Sequence, residues 1–134
     1  MIQTILMQIP KDQPIFEGEI ANYWFEDGIL VSDSKSIKRT VPLIASNVEL
    51  VKTITNNTPV PLLIYLKNSP IPDKETQRFS REKLPEIYKA MAMVSKPGLA
   101  LFIMNLLFKF KKPPIPMKSF SNAEEAKEWL KQFV

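Results

Sequence analysis

The order of hydrophobic and polar positions predicts a hairpin near the start of the chain. Residues 20–25 form an aromatic, β-rich run, and residues 29–33 form a second run that is mostly apolar. The pair Asp27-Gly28 between them is a strong turn signal, because glycine readily adopts the positive φ that a tight hairpin turn needs. We expect residues 1–19 to add an edge segment, since the prolines in that stretch are tolerated only at the edge of a sheet.

A helix and a buried strand are predicted next. Apolar residues recur at intervals of three and four between Val41 and Ile54, which is the spacing of one helix face. Thr40 is a suitable N-cap, and Pro42 is tolerated in the first turn. Residues 61–66 are a nearly continuous apolar run, which is typical of a strand buried on both faces in a parallel sheet.

The middle of the chain predicts a second helix that proline interrupts. Asp73 ends a proline-rich loop over residues 67–73 and is a suitable N-cap. Pro85 lacks the N–H group that a helix interior uses. We therefore expect a short helix, a break near Ser80 and a second segment that begins within residues 81–84.

The last third of the chain repeats the alternation of strands and helices. Residues 89–95 predict a strand, residues 97–110 predict a helix with a wide apolar face, and residues 115–120 predict the last strand. Ser121 or Asn122 caps a final amphipathic helix. We expect its buried stripe to consist of Ala126, Trp129, Leu130 and Phe133.

The predicted element order, β-β-α-β-α-β-α-β-α, indicates an α/β fold. It is a mixed sheet that a hairpin opens, with about four helices packed on it. A chain of 134 residues is expected to form a single domain over residues 1–134. Tyr23 and Trp24 are neighbours in a strand, so we expect one to face the core and the other to face outward.

The composition excludes several kinds of chemistry. The chain has no cysteine and no histidine, which excludes disulfides, thiol nucleophiles and imidazole acid–base catalysis. No paired-carboxylate motif, glycine-rich phosphate loop or calcium-loop spacing is present, so we expect no enzyme activity, no metal and no cofactor. The N-terminus lacks the pattern of a secretory signal, and no apolar run is long enough for a transmembrane segment. We therefore expect a cytoplasmic protein.

The positive charge lies mainly in the second half of the chain. The net charge is +4; residues 1–66 carry five basic and seven acidic residues, whereas residues 67–134 carry thirteen and seven. A basic half can attract nucleic acid or anionic lipid. The lysines are dispersed, however, and are not interleaved with arginine and aromatic residues. We interpret them as a solvated surface and expect no nucleic-acid partner.

Several motifs, taken with the element order, carry a resemblance to a known family. They are Trp24-Phe-Glu-Asp-Gly-Ile29, the strand at 61–66 with the following loop and Arg78, the strand at 90–94, Asn105-Leu-Leu-Phe108, and Phe120-Ser-Asn-Ala-Glu-Glu-Ala-Lys-Glu-Trp-Leu130. Over about residues 20–134 the chain resembles the STAS-like group, named for sulfate transporters and anti-sigma-factor antagonists. The closer resemblance is to uncharacterised bacterial STAS/Sec14-like, or SpoIIAA-like, domains. It implies a non-catalytic regulatory module that binds a protein partner or forms a homodimer.

The resemblance also implies a regulatory serine. In anti-sigma-factor antagonists a serine at the start of the helix after the central strand is phosphorylated, and the corresponding segment here is Lys67-Asn68-Ser69-Pro70. A helix N-terminus suits a phosphate, because free N–H groups point at it. Asn68 stands where the family has an acidic residue. Two interpretations stay open: Lys67, Asn68 and Ser69 bind or carry an anion, or Ser69 satisfies backbone groups in a stiff loop.

Arg78 follows this loop on the next predicted helix. It pairs either with an anionic ligand or, as a surface residue, with a nearby acid such as Glu75 or Glu82.

The predicted helix over residues 97–110 is the second candidate surface. Its apolar arc is wider than one sheet face needs, and three lysines lie at or just beyond its end. Such a helix covers a lipid-like ligand, docks on a membrane surface, forms a dimer interface, or packs into the core. The residues expected to form a ligand or dimer surface are Phe102, Asn105, Leu106 and Phe108. A carrier of a small apolar or anionic ligand is therefore the alternative function.

Overall fold

The computed structural model describes residues 13–95 and 112–134, which form a mixed sheet in the order β1-β2-β3-β4-β5-β6. The strands are β1 Phe16–Glu17, β2 Ala21–Glu26, β3 Ile29–Ser34, β4 Val60–Tyr65, β5 Tyr88–Val94 and β6 Met117–Phe120. The described helices are α1 Val41–Ile54, α2 Lys74–Ile87 and α3 Ala123–Leu130, and a 3-10 turn, Lys131–Phe133, follows α3. β1, β2 and β3 are antiparallel, whereas β3 to β6 are parallel. The predicted α/β class and mixed sheet are confirmed.

The predicted hairpin is present between β2 and β3. Asp27 and Gly28 have φ values of 50° and 83°, and Glu26 pairs with Ile29 across the turn. Positive φ at both central residues is the geometry of the type I′ turn, whose twist matches that of the flanking strands.

Each of the three described α-helices begins at a polar side chain that caps it. Thr40 accepts a hydrogen bond from the backbone N of Leu43 at 3.4 Å, which starts α1. The carboxylate of Asp73 accepts one from the backbone N of Thr76 at 2.8 Å and starts α2. Asn122, one of the two predicted caps, does the same for α3.

The helix α2 runs without interruption from Lys74 to Ile87, so the predicted break near Ser80 is wrong. Pro85 lies in the last turn, where its missing N–H removes one bond near the helix end and leaves the preceding turns intact. The last turn is also held from outside, because Glu86 forms an ion pair with Lys52 of α1 at 2.8 Å.

The sheet has a packed core on each face, which corrects the expectation for Tyr23 and Trp24. Both side chains are buried, with exposed fractions of 2% and 1%. Tyr23 packs under α1 and α2, whereas Trp24 packs on the opposite face, under α3. Helices cover both faces of the sheet. Because successive side chains of β2 point to opposite faces, each of the two aromatic residues lies in a different core.

The predicted stripe of α3 is partly wrong. Ala126 and Leu130 are fully buried, but Trp129 is only partly buried and packs between the rings of Phe120 and Phe133. Residues four apart share a helix face, so Ala126 and Leu130 point at the sheet and place Trp129 on the flank. The predicted helix over residues 97–110 lies outside the described residues.

Candidate functional site

The loop between β4 and α2 is anchored through the side chain of Ser69. Its Oγ accepts a hydrogen bond from Nη1 of Arg39 at 3.1 Å. The same hydroxyl lies 3.4 Å from the carbonyl oxygens of Lys35 and Lys67, either of which its proton can reach. Ser69 therefore holds the loop against the segment that precedes α1.

The two residues before Ser69 are exposed. Nζ of Lys67 lies 3.0 Å from Oδ1 of Asp33, the residue at the corresponding end of β3, and the pair is partly open to solvent. Asn68 presents its side chain to solvent. The lysine charge that the sequence suggested for anion binding is thus already beside a carboxylate.

The start of α2 is occupied by an anion of the protein itself. The backbone N–H of Thr76 lowers the pKa of Asp73, and the side-chain hydrogen bond from Thr76 acts in the same direction. A phosphate at this helix start would compete with the Asp73 carboxylate for the same N–H groups. Arg78 lies on the exposed side of α2 and makes no ion pair or hydrogen bond within the described part of the chain. The structure therefore places the ammonium group of Lys67 beside Asp33 and the hydroxyl of Ser69 beside Arg39, and it links Arg78 to neither.

Arg39 is the residue that connects the elements around this loop. Nη1 donates to the carbonyl oxygens of Lys35 at 2.6 Å and Ile37 at 2.7 Å in addition to Ser69, and Nη2 donates to Ile20 at 3.0 Å. One guanidinium therefore joins the residue before β2, the segment between β3 and α1, and the loop after β4. Arg39 lies in a short polar connection with no motif around it, so its sequence context does not predict this role.

The charge of Arg39 has no acidic partner among the described residues. Burial lowers the pKa of this guanidinium, and the nearby Tyr23 acts in the opposite direction. An arginine stays protonated at neutral pH despite such a shift. The site therefore contains a half-buried positive charge that only neutral oxygens contact.

A partly enclosed cavity of about 150 Å³ lies beside Arg39, between the sheet and the helices α1 and α2. The hydroxyl of Tyr23 reaches this region and donates a hydrogen bond to Oδ1 of Asn47 at 2.7 Å. Ser32 and Tyr88 also line the cavity and lie within hydrogen-bonding reach of Tyr23. The arrangement combines apolar walls with a few converging polar groups, which is the usual character of a small-molecule site.

The tyrosines of this cavity are held in the neutral form. Burial raises the pKa of Tyr23, although its hydrogen bonds with Tyr88, Asn47 and Ser32 partly offset the effect. Burial, with a smaller contribution from Tyr23, raises the pKa of Tyr88 well above its ordinary value. Both hydroxyls therefore act at neutral pH as hydrogen-bonding groups and not as charges.

The second candidate surface falls outside the described residues. Phe102, Asn105, Leu106 and Phe108 all belong to this segment, so their predicted role stays a prediction. Within residues 13–95 and 112–134, no helix has the length and apolarity that crossing a membrane requires. In the same part of the chain, no group of three or more acidic side chains forms a set that would hold a metal ion.

Comparisons with known proteins agree with this architecture. A family model described as a domain of unknown function (DUF7793) matches residues 23–134. Among solved structures, the fold is similar to that of an uncharacterised protein of the DUF3478 family from Shewanella loihica PV-4, which is described as SpoIIAA-like. The two chains are 16% identical, the match covers 90% of this chain and 98% of the other, and the TM-score is 0.60. No curated protein matches. The SpoIIAA-like, STAS-like fold predicted from the sequence motifs is confirmed.

Proposed function

The chain belongs to the family described as a domain of unknown function (DUF7793), and we propose that it is a non-catalytic, STAS-like regulatory module. It acts by binding another protein or a second copy of itself. The contact surface is the loop of residues 67–73, which leaves the sheet at the carboxyl end of β4. The complete lack of histidine and cysteine supports a binding role over a catalytic one.

The observation that carries this proposal is the exposure of Ile71. Its side chain is 51% exposed, and Ile71 and Val134 are the large apolar residues that the described part of the chain exposes. Ile71 stands between Pro70 and Pro72, and Arg39 anchors the same loop through Ser69. A loop held in one conformation loses little entropy when a partner covers it. An exposed apolar residue on such a loop is suited to fill a pocket of a partner.

The experiment compares two substitutions of exposed apolar residues. Ile71→Glu places a charge in the proposed contact, and Val134→Glu places the same charge at the other exposed apolar position, where the side chain is 61% exposed. Sedimentation velocity and cross-linking measure self-association, and affinity capture with quantified recovery measures a protein partner. We expect Ile71→Glu to weaken the complex at least about tenfold, because burying an isoleucine contributes about 1.5–3 kcal/mol.

The control result is equally specific. Val134→Glu should bind like the unchanged protein, and both variants should keep the unchanged melting temperature, since neither residue is in the core. Equal binding by all three proteins would contradict the role of the loop.

Two further roles remain predictions. Phosphorylation of Ser69 would place a dianion beside the Arg39 guanidinium and add an ion pair where the acceptor is now a neutral hydroxyl. Intact mass measurement of protein from its host tests this modification directly. The alternative function, a carrier of a small apolar ligand that uses the helix at 97–110, depends on residues outside the described part of the chain.

A further inference from the structure

The cavity beside Arg39 has the size of a small organic molecule. Its volume of about 150 Å³ equals that of an engineered apolar cavity known to accept benzene, so a six-membered ring fits and a nucleotide does not. Apolar walls come from Ile44 on α1, Leu62 on β4 and Met91 on β5. The volume of the cavity and its apolar walls therefore favour a ligand with a compact apolar body.

The polar part of the lining carries one unpaired positive charge. Arg39 contacts four neutral oxygens through Nη1 and Nη2, which leaves its Nε–H group and one Nη2 proton without a hydrogen bond in the described residues. Lys83 also lines the cavity, but its ammonium group lies 3.3 Å from a carboxylate oxygen of Glu86. A half-buried guanidinium with spare donors and no acidic partner is stabilised by an anion that reaches it.

We propose that this cavity binds a small monocarboxylate with a body about the size of a six-membered ring. The carboxylate lies on the free donors of Arg39, and the ring packs against Ile44, Leu62 and Met91. A single negative charge matches the single unpaired cation, whereas a phosphate dianion would lack a second one. This inference concerns the interior of the protein and does not depend on the function proposed for the surface loop.

The test is a titration of the 134-residue chain with three probes, monitored by NMR of the isoleucine and methionine methyl groups. Benzoate has both the ring and the charge, benzyl alcohol has the ring alone, and acetate has the charge alone. We expect saturable shifts at the methyl groups of Ile44 and Met91, with benzoate at least about tenfold tighter than either control. Acetate lacks the apolar contact, and benzyl alcohol lacks the charge-assisted bonds to Arg39.

The first variant separates the charge contact of the site from its apolar contact. Arg39→Gln should weaken benzoate about tenfold or more while leaving benzyl alcohol unchanged. Because Arg39 also holds the loop, Ser80→Phe gives a second test that leaves the contacts of Arg39 in place. Ser80 lines the cavity from the partly exposed side of α2, and a phenyl ring there takes the space of the ligand. Ser46→Phe, at an exposed position of α1, is the matched control.

Each result decides the proposal. Benzoate binding that Ser80→Phe abolishes and Ser46→Phe preserves supports it. Equal affinity for benzoate and benzyl alcohol overturns the role of Arg39, and equal affinity for benzoate and acetate overturns the role of the apolar walls. No saturable shift at millimolar benzoate, or binding that survives Ser80→Phe, overturns the site as a whole.

Discussion

Arg39 donates a hydrogen bond to the hydroxyl of Ser69 at 3.1 Å, although thirty positions of sequence separate the two residues. The same guanidinium lines the cavity under α1 and α2. Arg39 therefore lies between an internal cavity and an exposed loop, and a change on either side acts on the same charged group. An anion bound in the cavity would use the free donors of Arg39 and a phosphate on Ser69 would face Nη1, so both would draw on the same positive charge.

The first prediction concerns the stability that Arg39 contributes. Arg39→Lys keeps the positive charge but removes the planar fork that reaches Ile20, Ile37 and Ser69 together. Hydrogen bonds to a charged group contribute about 1.5–3 kcal/mol each, so we expect the free energy of unfolding to fall by at least about 2 kcal/mol. Urea denaturation followed by circular dichroism measures it.

The matched control is Arg78→Lys. Arg78 is exposed and makes no hydrogen bond or ion pair with the residues that the structure describes, so the same substitution should change stability by less than about 0.5 kcal/mol. Similar losses in the two variants would mean that the contacts of Arg39 add nothing beyond its charge.

The second prediction is a loss of stability in alkaline solution. Burial raises the pKa of each of the three tyrosines, Tyr23, Tyr65 and Tyr88. Above pH 10 the unfolded chain therefore ionises first, and the folded protein keeps its protons until the raised pKa is reached. The free energy of unfolding should fall through that range by up to about 1.4 kcal/mol per pH unit for each tyrosine.

Denaturation at several pH values between 9 and 11 measures this slope, and absorbance at 295 nm reports tyrosine ionisation. Lysines titrate in the same range, so the comparison is made with Tyr88→Phe, which lacks one buried hydroxyl. Its stability should fall less steeply than that of the unchanged protein. Parallel curves would show that Tyr88 ionises equally in the folded and unfolded states.

Much of the fold can be predicted from the sequence, because the residues that start helices and turns act locally. The strongest signals act within a few residues of themselves: the cap residues Thr40, Asp73 and Asn122, and the turn at Asp27-Gly28.

The burial of Tyr23 and Trp24 was predicted only in part, because alternation in one strand does not reveal whether a helix covers the second face. The continuous aromatic run from Tyr23 to Phe25 is the signal for two covered faces.

The candidate site is harder to predict from the sequence, because its contacts join distant parts of the chain. Ser69 was identified by family resemblance, but its partner Arg39 carries no motif. Tyr23, Asn47 and Tyr88 come from three separate elements, and only the packing of α1 and α2 on the sheet brings them to one cavity. Pairwise contacts of this kind follow from the tertiary structure and leave no periodic pattern in the sequence.

The third prediction separates two contacts made by one carboxylate. Glu26 accepts a hydrogen bond from Nε1 of the buried Trp24 at 2.7 Å through one oxygen and pairs with Lys127 of α3 through the other. Glu26→Ala leaves the indole N–H buried without a partner, so it should cost about 1–3 kcal/mol. Lys127→Ala removes only a partly exposed ion pair and should cost at most about 1 kcal/mol.

Urea denaturation compares the two variants, and tryptophan fluorescence reports the environment of Trp24. The order of the two losses is the decisive quantity. A larger loss for Lys127→Ala would place the stabilising contribution in the ion pair and contradict this assignment.

The fourth prediction is that removing Pro85 stabilises the protein. Proline inside a helix costs about 3 kcal/mol relative to alanine, because its N–H is missing and its ring crowds the carbonyl four residues back. The helix α2 nevertheless continues through this position to Ile87. Pro85→Ala restores the donor, although it also frees the unfolded chain, which offsets about 0.4–1 kcal/mol. We therefore expect a net gain of about 2–2.6 kcal/mol in the free energy of unfolding.

Pro42→Ala is the matched control, because Pro42 lies in the first turn of α1, where a helix needs no N–H donor. That variant gains no hydrogen bond and loses the restriction on the unfolded chain, so its stability should stay unchanged or fall by up to about 1 kcal/mol. The measurement is the urea concentration at the midpoint of unfolding, compared between each variant and the unchanged protein. A loss of stability in Pro85→Ala would indicate that the proline fixes the direction in which α2 enters β5, and that this constraint outweighs the missing bond.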